Sequence, residues 1–165
     1  FMFACAMTPG DTAHLSNIKQ EFVYNVKRLR THPSLALWCG NNENMEKWFT
    51  RSWRGKYGVN AQDSVRLMDT YVHIFYKMIP EVLRTYDAKR FYWPCSPSGS
   101  YEISPTGHTT GDVHNWWIWF GNASFQDIAR DKRRFVSEYG LQSYPAWETL
   151  QTFARPQDTT FDAYI

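Results

Sequence analysis

The sequence predicts an α/β protein with a parallel sheet, and three observations support this. Apolar strand-like runs alternate along the chain with segments of helical periodicity, the order that right-handed βαβ units produce. The run at residues 35–39 (LALWC) is apolar on both faces, as is typical of strands covered by helices. The chain contains neither GxGxxG nor GxxxxGK[ST], which disfavours a nucleotide-binding sheet and favours part of a (β/α)8 barrel.

Each element of the first half follows from its pattern. Residues 1–6 form a compact apolar run, a predicted strand, and residues 15–29 repeat apolar side chains every three or four positions, which predicts a helix. The next strand is predicted at residues 34–39 and is followed by a polar loop. A second amphipathic helix is predicted over residues 63–83, and Pro80 is expected to kink or restart it.

The second half predicts shorter elements. Residues 90–94 (RFYWP) and 112–115 are predicted strands, and residues 125–133 (FQDIARDKR) are predicted to form a short helix. The last strand is predicted at residues 134–136, and Pro145 is expected to open a final helix at its first turn. The sequence therefore predicts about five strands.

Composition limits the classes of function. The 165 residues are enough for one domain with a hydrophobic core, so residues 1–165 are predicted to form a single domain. A formal net charge of only +2 gives no support to nucleic-acid binding. No apolar run approaches the ~18–20 residues of a membrane span. Aromatic residues make up 18% of the chain, and they are expected either in the core or along a cleft, where flat rings bind the C–H faces of sugars.

The cysteines and the N-terminus give two further expectations. Cys5, Cys39 and Cys95 are odd in number and lack CxxC spacing, so buried free thiols are predicted. The initial run FMFACAM is apolar but has no basic residues before it, unlike a signal peptide. Because the chain begins within a strand-like run, it is expected to be part of a longer polypeptide.

Polar and aromatic side chains follow the predicted strands, at the end where a β/α barrel gathers its active site. They are Asn42, Glu43, Trp93, His114, Trp116, Glu138 and Tyr139. Glu43 and Glu138 would face each other across the barrel mouth, and two carboxyls about 5–5.5 Å apart are what a retaining glycosidase needs. A single glutamate at a strand end is more often a solvated group or an ion-pair partner, and that alternative stays open on spacing alone.

Four segments carry a family resemblance. RTHPSLALWCGNNEN (30–44) resembles the acid/base segment of glycoside hydrolase family 2, and RFVSEYGLQSYP (134–145) resembles the nucleophile segment of that family. GDVHNWW (111–117) and FMFACAM (1–7) resemble the sixth and third strands of its β-mannosidase branch. These segments occur in the family's order and span nearly the whole chain. The sequence is therefore identified as similar to the β-mannosidase branch of family 2.

The resemblance implies a role for each site residue. Glu43 corresponds to the general acid/base and Glu138 to the nucleophile, while Asn42 corresponds to the asparagine that hydrogen-bonds the 2-hydroxyl of the sugar. The remaining side chains are expected to bind substrate as walls of the sugar subsite; they are Trp93, His114, Trp116 and Tyr139. The wider clan often has His-x-Tyr where this sequence has His-x-Trp at residues 114–116.

The resemblance also implies the fold and the reaction. The chain would span about the third to the seventh strand of an eight-stranded TIM barrel, without the other three strands and the usual β-sandwich domains. These missing parts are its expected partners, together with a β-mannoside oligosaccharide substrate. Retaining hydrolysis needs no metal or other cofactor. The isolated polypeptide is expected to fold poorly and to hydrolyse little or nothing, because open parallel strands expose backbone groups.

Alternatives to β-mannosidase activity remain open within and outside the family. Within the family the alternatives are β-glucosaminidase, β-galactosidase and β-glucuronidase activity, and outside it the alternative is a non-catalytic carbohydrate-binding barrel.

The surroundings of the two glutamates predict different acidities. Burial after a Trp-bearing apolar strand is expected to favour the protonated form of Glu43. Hydrogen bonds from Ser137, Tyr139 and His114 are expected to keep Glu138 ionised. Asp112 either orients His114 or is a turn residue.

Overall fold

The computed structural model describes residues 1–49, 53–98, 111–141 and 144–159. These described residues form two compact units: the first contains those within 1–114 and 131–138, and the second contains those within 115–130 and 139–159. The elements are helices and short strands in alternation, so the predicted α/β class is confirmed. Within the described residues, no helix is long and apolar enough to cross a membrane.

The first helix, α1 (Thr12–Leu29), buries one apolar stripe and begins at Asp11, whose side chain accepts the backbone N–H of His14. This agrees closely with the prediction. Two short helices, α2 (Asn44–Phe49) and α3 (Trp53–Lys56), take the place of the polar loop expected after Glu43.

The long helix predicted at residues 63–83 is present as three consecutive segments. They are α4 (Ala61–Val72), a π-helical turn (His73–Met78) and α5 (Ile79–Tyr86). Pro80 lies in the first turn of α5. Because proline has no N–H, it cannot continue the helical ladder, and the wider turn stands directly before it. The predicted interruption at Pro80 is therefore confirmed.

The sheet that carries the site pairs β1 (Leu37–Asn42) with β2 (Phe91–Ser96) in parallel, from Leu37 opposite Phe91 to Asn42 opposite Ser96. The strand predicted at residues 1–6 is reduced to a single parallel bridge between Ala4 and Asn42. Cys5 has a left-handed backbone with φ of 54°, which turns the chain away from the extended path after that bridge.

The remaining elements are short. Strands β3 (Val113–Asn115) and β4 (Val136–Tyr139) form a second two-stranded sheet. Helix α7 (Phe125–Ala129) is shorter than predicted, and α6 (Trp117–Gly121) occupies a tryptophan-rich stretch that had no predicted element. The last helices are α8 (Trp147–Leu150), which starts after Pro145 rather than on it, and a 3₁₀ turn (Pro156–Thr159).

The core lies where α1, the helices from α4 to α5, and β1 pack together. Its buried apolar residues are Ile18, Phe22, Val26, Trp38, Tyr71, Ile74, Phe75, Met78, Ile79, Val82 and Leu83. All three cysteines are free thiols; Cys95 is buried, whereas Cys5 and Cys39 are half-buried, so full burial was predicted correctly for only one of them.

Gly40 holds β1 and β2 close together. A Cβ atom at this position would lie 2.4 Å from the carbonyl oxygen of Pro94 and 2.6 Å from the hydroxyl of Tyr92. Next to it, the buried Asn41 amide donates to the same Pro94 carbonyl at 2.7 Å, so the two strands are joined by a side chain as well as by their backbones.

Gly40→Ala is expected to lower the free energy of unfolding of the complete protein by about 1–3 kcal/mol, because the methyl group meets backbone that cannot move aside. Thermal and urea unfolding would measure the change. Gly55→Ala is the matched control, since no atom lies within 4 Å of its Cβ position in α3. Equal stability of the two variants would contradict the expectation.

Candidate active site

Glu43 stands directly after β1, at the carboxyl end of the parallel pair. Its backbone N–H donates to the carbonyl of Ser96 at 2.7 Å, and its own carbonyl accepts from Lys47 at 2.9 Å, which starts α2. Its φ of 57° lies in the left-handed region, which is uncommon for residues other than glycine. Such backbone costs on the order of 1–3 kcal/mol and tends to occur where a side chain must be aimed at a site.

Three side chains meet at one atom, Nδ1 of His114. This nitrogen lies 2.9 Å from Oε1 of Glu43 and 3.2 Å from Oε2 of Glu138. One oxygen of each carboxylate and Nδ1 all lie within 4.8 Å of one another. The side chains of His114 and Glu43 are 5% and 8% exposed, and that of Glu138 is 33% exposed, so the group opens to solvent on the Glu138 side.

A second set of hydrogen bonds lies behind His114. Nε2 of the ring is 2.9 Å from the hydroxyl of Ser96. Oδ2 of the buried Asp112 accepts from the hydroxyls of Ser96 and Ser137, each at 2.5 Å, and Oδ1 accepts from the backbone N–H and the hydroxyl of Ser98, each at 2.6 Å. Burial opposes the charge on Asp112, but these four donors outweigh it and hold its pKa below the usual range.

The acidity of Glu43 differs from the expectation. The hydrogen bond from His114 lowers the pKa of Glu43 most, and burial raises it. Lys47, whose Nζ lies 2.6 Å from Oε2, lowers it further, so that the pKa of Glu43 is about 2. Burial does raise the pKa, as expected, but it is outweighed, so the expectation of a protonated Glu43 is wrong. The hydrogen bond from His114 and the ion pair with Lys47 together outweigh the desolvation of the Glu43 carboxylate.

The other predicted site residues have different surroundings. Asn42 ends β1, is half-buried and pairs with Ser96 across the sheet. Trp93 is half-buried, with its ring packed against Phe91 and Phe135.

Trp116 and Tyr139 belong to the second compact unit. In that unit the Trp116 ring packs so closely on Gly140 that a Cβ there would lie 2.7 Å away. Tyr139 is 73% exposed.

Sequence reasoning missed Lys47 and Ser96. Lys47 is one helical turn after Glu43, a spacing that brings side chains together on a helix, but the segment had been interpreted as a loop. Ser96 was missed because β2 was expected to end at Pro94, whereas its pairing continues to Ser96. Asp112 had been considered as an orienting residue for His114, and it reaches His114 through the hydroxyl of Ser96.

These contacts define a class of site. Two carboxylates with one oxygen of each within 4.8 Å, one of them directly after a strand of a parallel pair, resemble the carboxylate pair that retaining glycoside hydrolases use. The inverting arrangement needs a wider gap of about 6.5–9.5 Å to admit a water molecule.

Comparison with known proteins shows which glycoside hydrolases the chain is similar to. No family model matches the sequence. The chain is 32% identical to a β-mannosidase of Mus musculus over 171 residues and 33% identical to β-mannosidase B of Aspergillus clavatus over 166 residues. These alignments cover 99% and 98% of the chain but 19% of each relative, so the chain spans about a fifth of their length.

A solved structure is similar as well. The crystal structure of a β-D-mannosidase from Dictyoglomus thermophilum shares 35% sequence identity and a TM-score of 0.71 over 94% of this chain and 18% of that one. By sequence and by structure, the chain is a relative of β-mannosidases. The resemblance predicted from its motifs is therefore confirmed.

Proposed function

We propose that this chain supplies both catalytic carboxylates of a retaining exo-β-mannosidase, which removes terminal non-reducing β-D-mannose from oligosaccharides by double displacement. Glu138 attacks the anomeric carbon while Glu43 protonates the leaving oxygen, and Glu43 later takes a proton from the attacking water. The observation that carries the proposal is the approach of the Glu43 and Glu138 oxygens to within 4.8 Å. The similarity to β-mannosidases along nearly the whole chain supports mannose as the sugar.

The substrate-binding roles are part of the same proposal. Asn42 hydrogen-bonds the 2-hydroxyl, a contact that tightens as the ring approaches the oxocarbenium-like transition state. The aromatic and imidazole rings form the walls of the sugar subsite; they are Trp93, His114, Trp116 and Tyr139. The position of Asn42, adjacent to Glu43 at the end of β1, supports its assignment.

We further propose that residues 1–165 form a single domain, a partial (β/α)8 TIM barrel from about its third to its seventh strand. The parallel register of β1 and β2 and the TM-score of 0.71 to a β-D-mannosidase support this fold. Phe91 of β2 and Phe135 before β4 are 58% and 43% exposed, and large exposed apolar side chains mark surfaces that other parts of a protein cover. The rest of the barrel is their proposed partner.

A panel of 4-nitrophenyl β-glycosides, assayed on the complete protein that contains this chain, tests the proposed function. The mannoside is expected to give the highest kcat/KM, ahead of the glucosaminide, galactoside and glucuronide, because mannose differs in its axial 2-hydroxyl. A higher kcat/KM for another glycoside would show that the protein has that glycosidase activity and not the proposed β-mannosidase activity. Measurable mannose binding with no turnover would instead indicate a carbohydrate-binding barrel.

A further inference from the structure

His114 is held through both ring nitrogens. On one side, Nδ1 lies 2.9 Å from Glu43 and 3.2 Å from Glu138. On the other side, Nε2 lies 2.9 Å from the hydroxyl of Ser96. Because the side chain is only 5% exposed, these groups, rather than solvent, decide which nitrogen carries a proton.

The proton on Nε2 follows from counting hydrogens at Ser96. A hydroxyl has one proton to donate, and Ser96 gives it to Oδ2 of Asp112 at 2.5 Å. The hydroxyl of Ser137 donates to the same carboxylate oxygen. The oxygen of Ser96 is therefore left to accept, and the donor that faces it is Nε2–H of His114.

Nδ1 is consequently the nitrogen that gains and loses a proton. It faces two carboxylates, and a bare nitrogen lone pair between two carboxylates would be repelled by both. One proton must lie between Nδ1 and the carboxylates, on the imidazole or on a carboxyl group. Of the charged and titratable groups, Glu43 and Glu138 face this proton directly. Lys47 and Cys5 contact the other oxygen of Glu43, and Asp112 lies behind Ser96 on the Nε2 side of the ring.

We propose that Asp112 and Ser96 are positioning residues that keep Nε2 of His114 protonated, so that Nδ1 stores the proton that Glu43 delivers to the leaving group. This inference rests on the proposed function of Glu43. It also explains how a carboxyl group whose pKa is lowered to about 2 serves as an acid: its proton resides on the neighbouring imidazole until substrate arrives.

The proton balance closes over one turnover. The proton moves from Nδ1 to Oε1 of Glu43 along the 2.9 Å contact, which leaves a neutral imidazole and a neutral carboxyl group. Glu43 gives it to the glycosidic oxygen as that oxygen leaves the anomeric carbon and Glu138 bonds to it. In the second step, water bonds to the anomeric carbon, the bond to Glu138 breaks, and the proton lost by water returns through Glu43 to Nδ1.

Asp112→Asn in the complete protein tests the inference. The amide would donate to the Ser96 oxygen, freeing the Ser96 proton for Nε2 and reversing the arrangement at His114. For a mannoside with an alkyl leaving group, kcat/KM is expected to fall on the order of 10- to 100-fold, less than the 10²–10⁴-fold that a general acid contributes, because Glu43 itself is retained. The basic limb of its pH profile should move to lower pH, because the anion that favours the imidazolium is gone.

Two comparisons separate this role from a structural one. With 2,4-dinitrophenyl β-mannoside, which needs no proton to leave, kcat for the first step should change little. Glu148→Gln, which neutralises an exposed carboxylate in α8 and leaves Asp112 and Ser96 unchanged, is the control and should keep the wild-type pH profile. An equal loss for both substrates, or an unmoved basic limb, would overturn the inference while leaving the proposed function intact.

A spectroscopic readout does not depend on turnover. In protein labelled with ¹⁵N-histidine, with the His114 signal assigned by His114→Gln, Nε2 should stay protonated across the titration while Nδ1 changes. In Asp112→Asn, Nε2 should lose its proton first. A wild-type His114 whose Nε2 titrates would overturn the inference, whether or not the protein hydrolyses mannosides.

Discussion

Glu138→Gln is expected to reduce kcat of the complete protein toward aryl β-mannosides on the order of 10⁵-fold or more. The amide keeps the shape of the side chain and can still accept from Nδ1 of His114, but it cannot form the glycosyl ester on which double displacement depends. The size of the loss is that of removing a catalytic nucleophile outright. Steady-state hydrolysis of 2,4-dinitrophenyl β-mannoside would measure it.

Azide identifies the step that is lost. In Glu138→Ala, azide can enter the vacated space and attack the anomeric carbon directly, so the product should be the α-mannosyl azide. Glu148→Gln, which changes an exposed carboxylate in α8, is the control and should retain full activity. If Glu138→Gln keeps more than about a hundredth of the wild-type kcat, Glu138 is not the nucleophile.

Glu43→Ala is expected to depend on the leaving group. For alkyl mannosides the loss should be on the order of 10²–10⁴-fold, the contribution of general acid catalysis. For the dinitrophenyl mannoside the first step should be nearly unchanged, and the second step should slow because water has lost its base. The glycosyl-enzyme should then accumulate, giving a burst of dinitrophenol in rapid-mixing experiments.

Azide again provides the contrasting control. In Glu43→Ala it should attack the accumulated intermediate from the face that water uses, yielding the β-mannosyl azide and restoring turnover. Glu43→Gln keeps the side-chain length and an oxygen acceptor beside Lys47, so it separates loss of the acid from loss of side-chain volume. Equal losses for good and poor leaving groups would rule out Glu43 as the proton donor.

The predicted and observed strands differ mainly in the residue at which each strand ends. The strand that bears His114 was predicted at residues 112–115 and ends at Asn115 as expected. The other three strands that bear site residues or their partners were predicted at residues 34–39, 90–94 and 134–136, and they run to Asn42, Ser96 and Tyr139. Each was expected to end two or three residues early. Apolar composition marks where a strand is buried, whereas hydrogen bonds to the neighbouring strand decide where it ends. Asn42, Ser96 and Glu138 lie on that extra length, and Glu43 follows it directly.

Helix α1 was predicted more closely because its determinants are local. Its apolar side chains recur every three or four residues, and Asp11 caps its first turn. The π-helical turn before Pro80 is likewise a local consequence of a missing N–H. The contacts of Lys47 with Glu43 needed a helix where none was predicted, so a local signal was present and was not recognised.

The sequence by itself determined the α/β class and the similarity to β-mannosidases, and it marked Glu43 and Glu138 as candidate catalytic residues, because periodicity and motifs are properties of neighbouring residues. Only the tertiary structure decided the acidity of Glu43. Glu43 and His114 are 71 residues apart in the chain and 2.9 Å apart in space. Acidity depends on the charges and donors that surround a group in three dimensions, so burial after an apolar strand predicted a protonated Glu43, and the contacts with Lys47 and His114 reversed it.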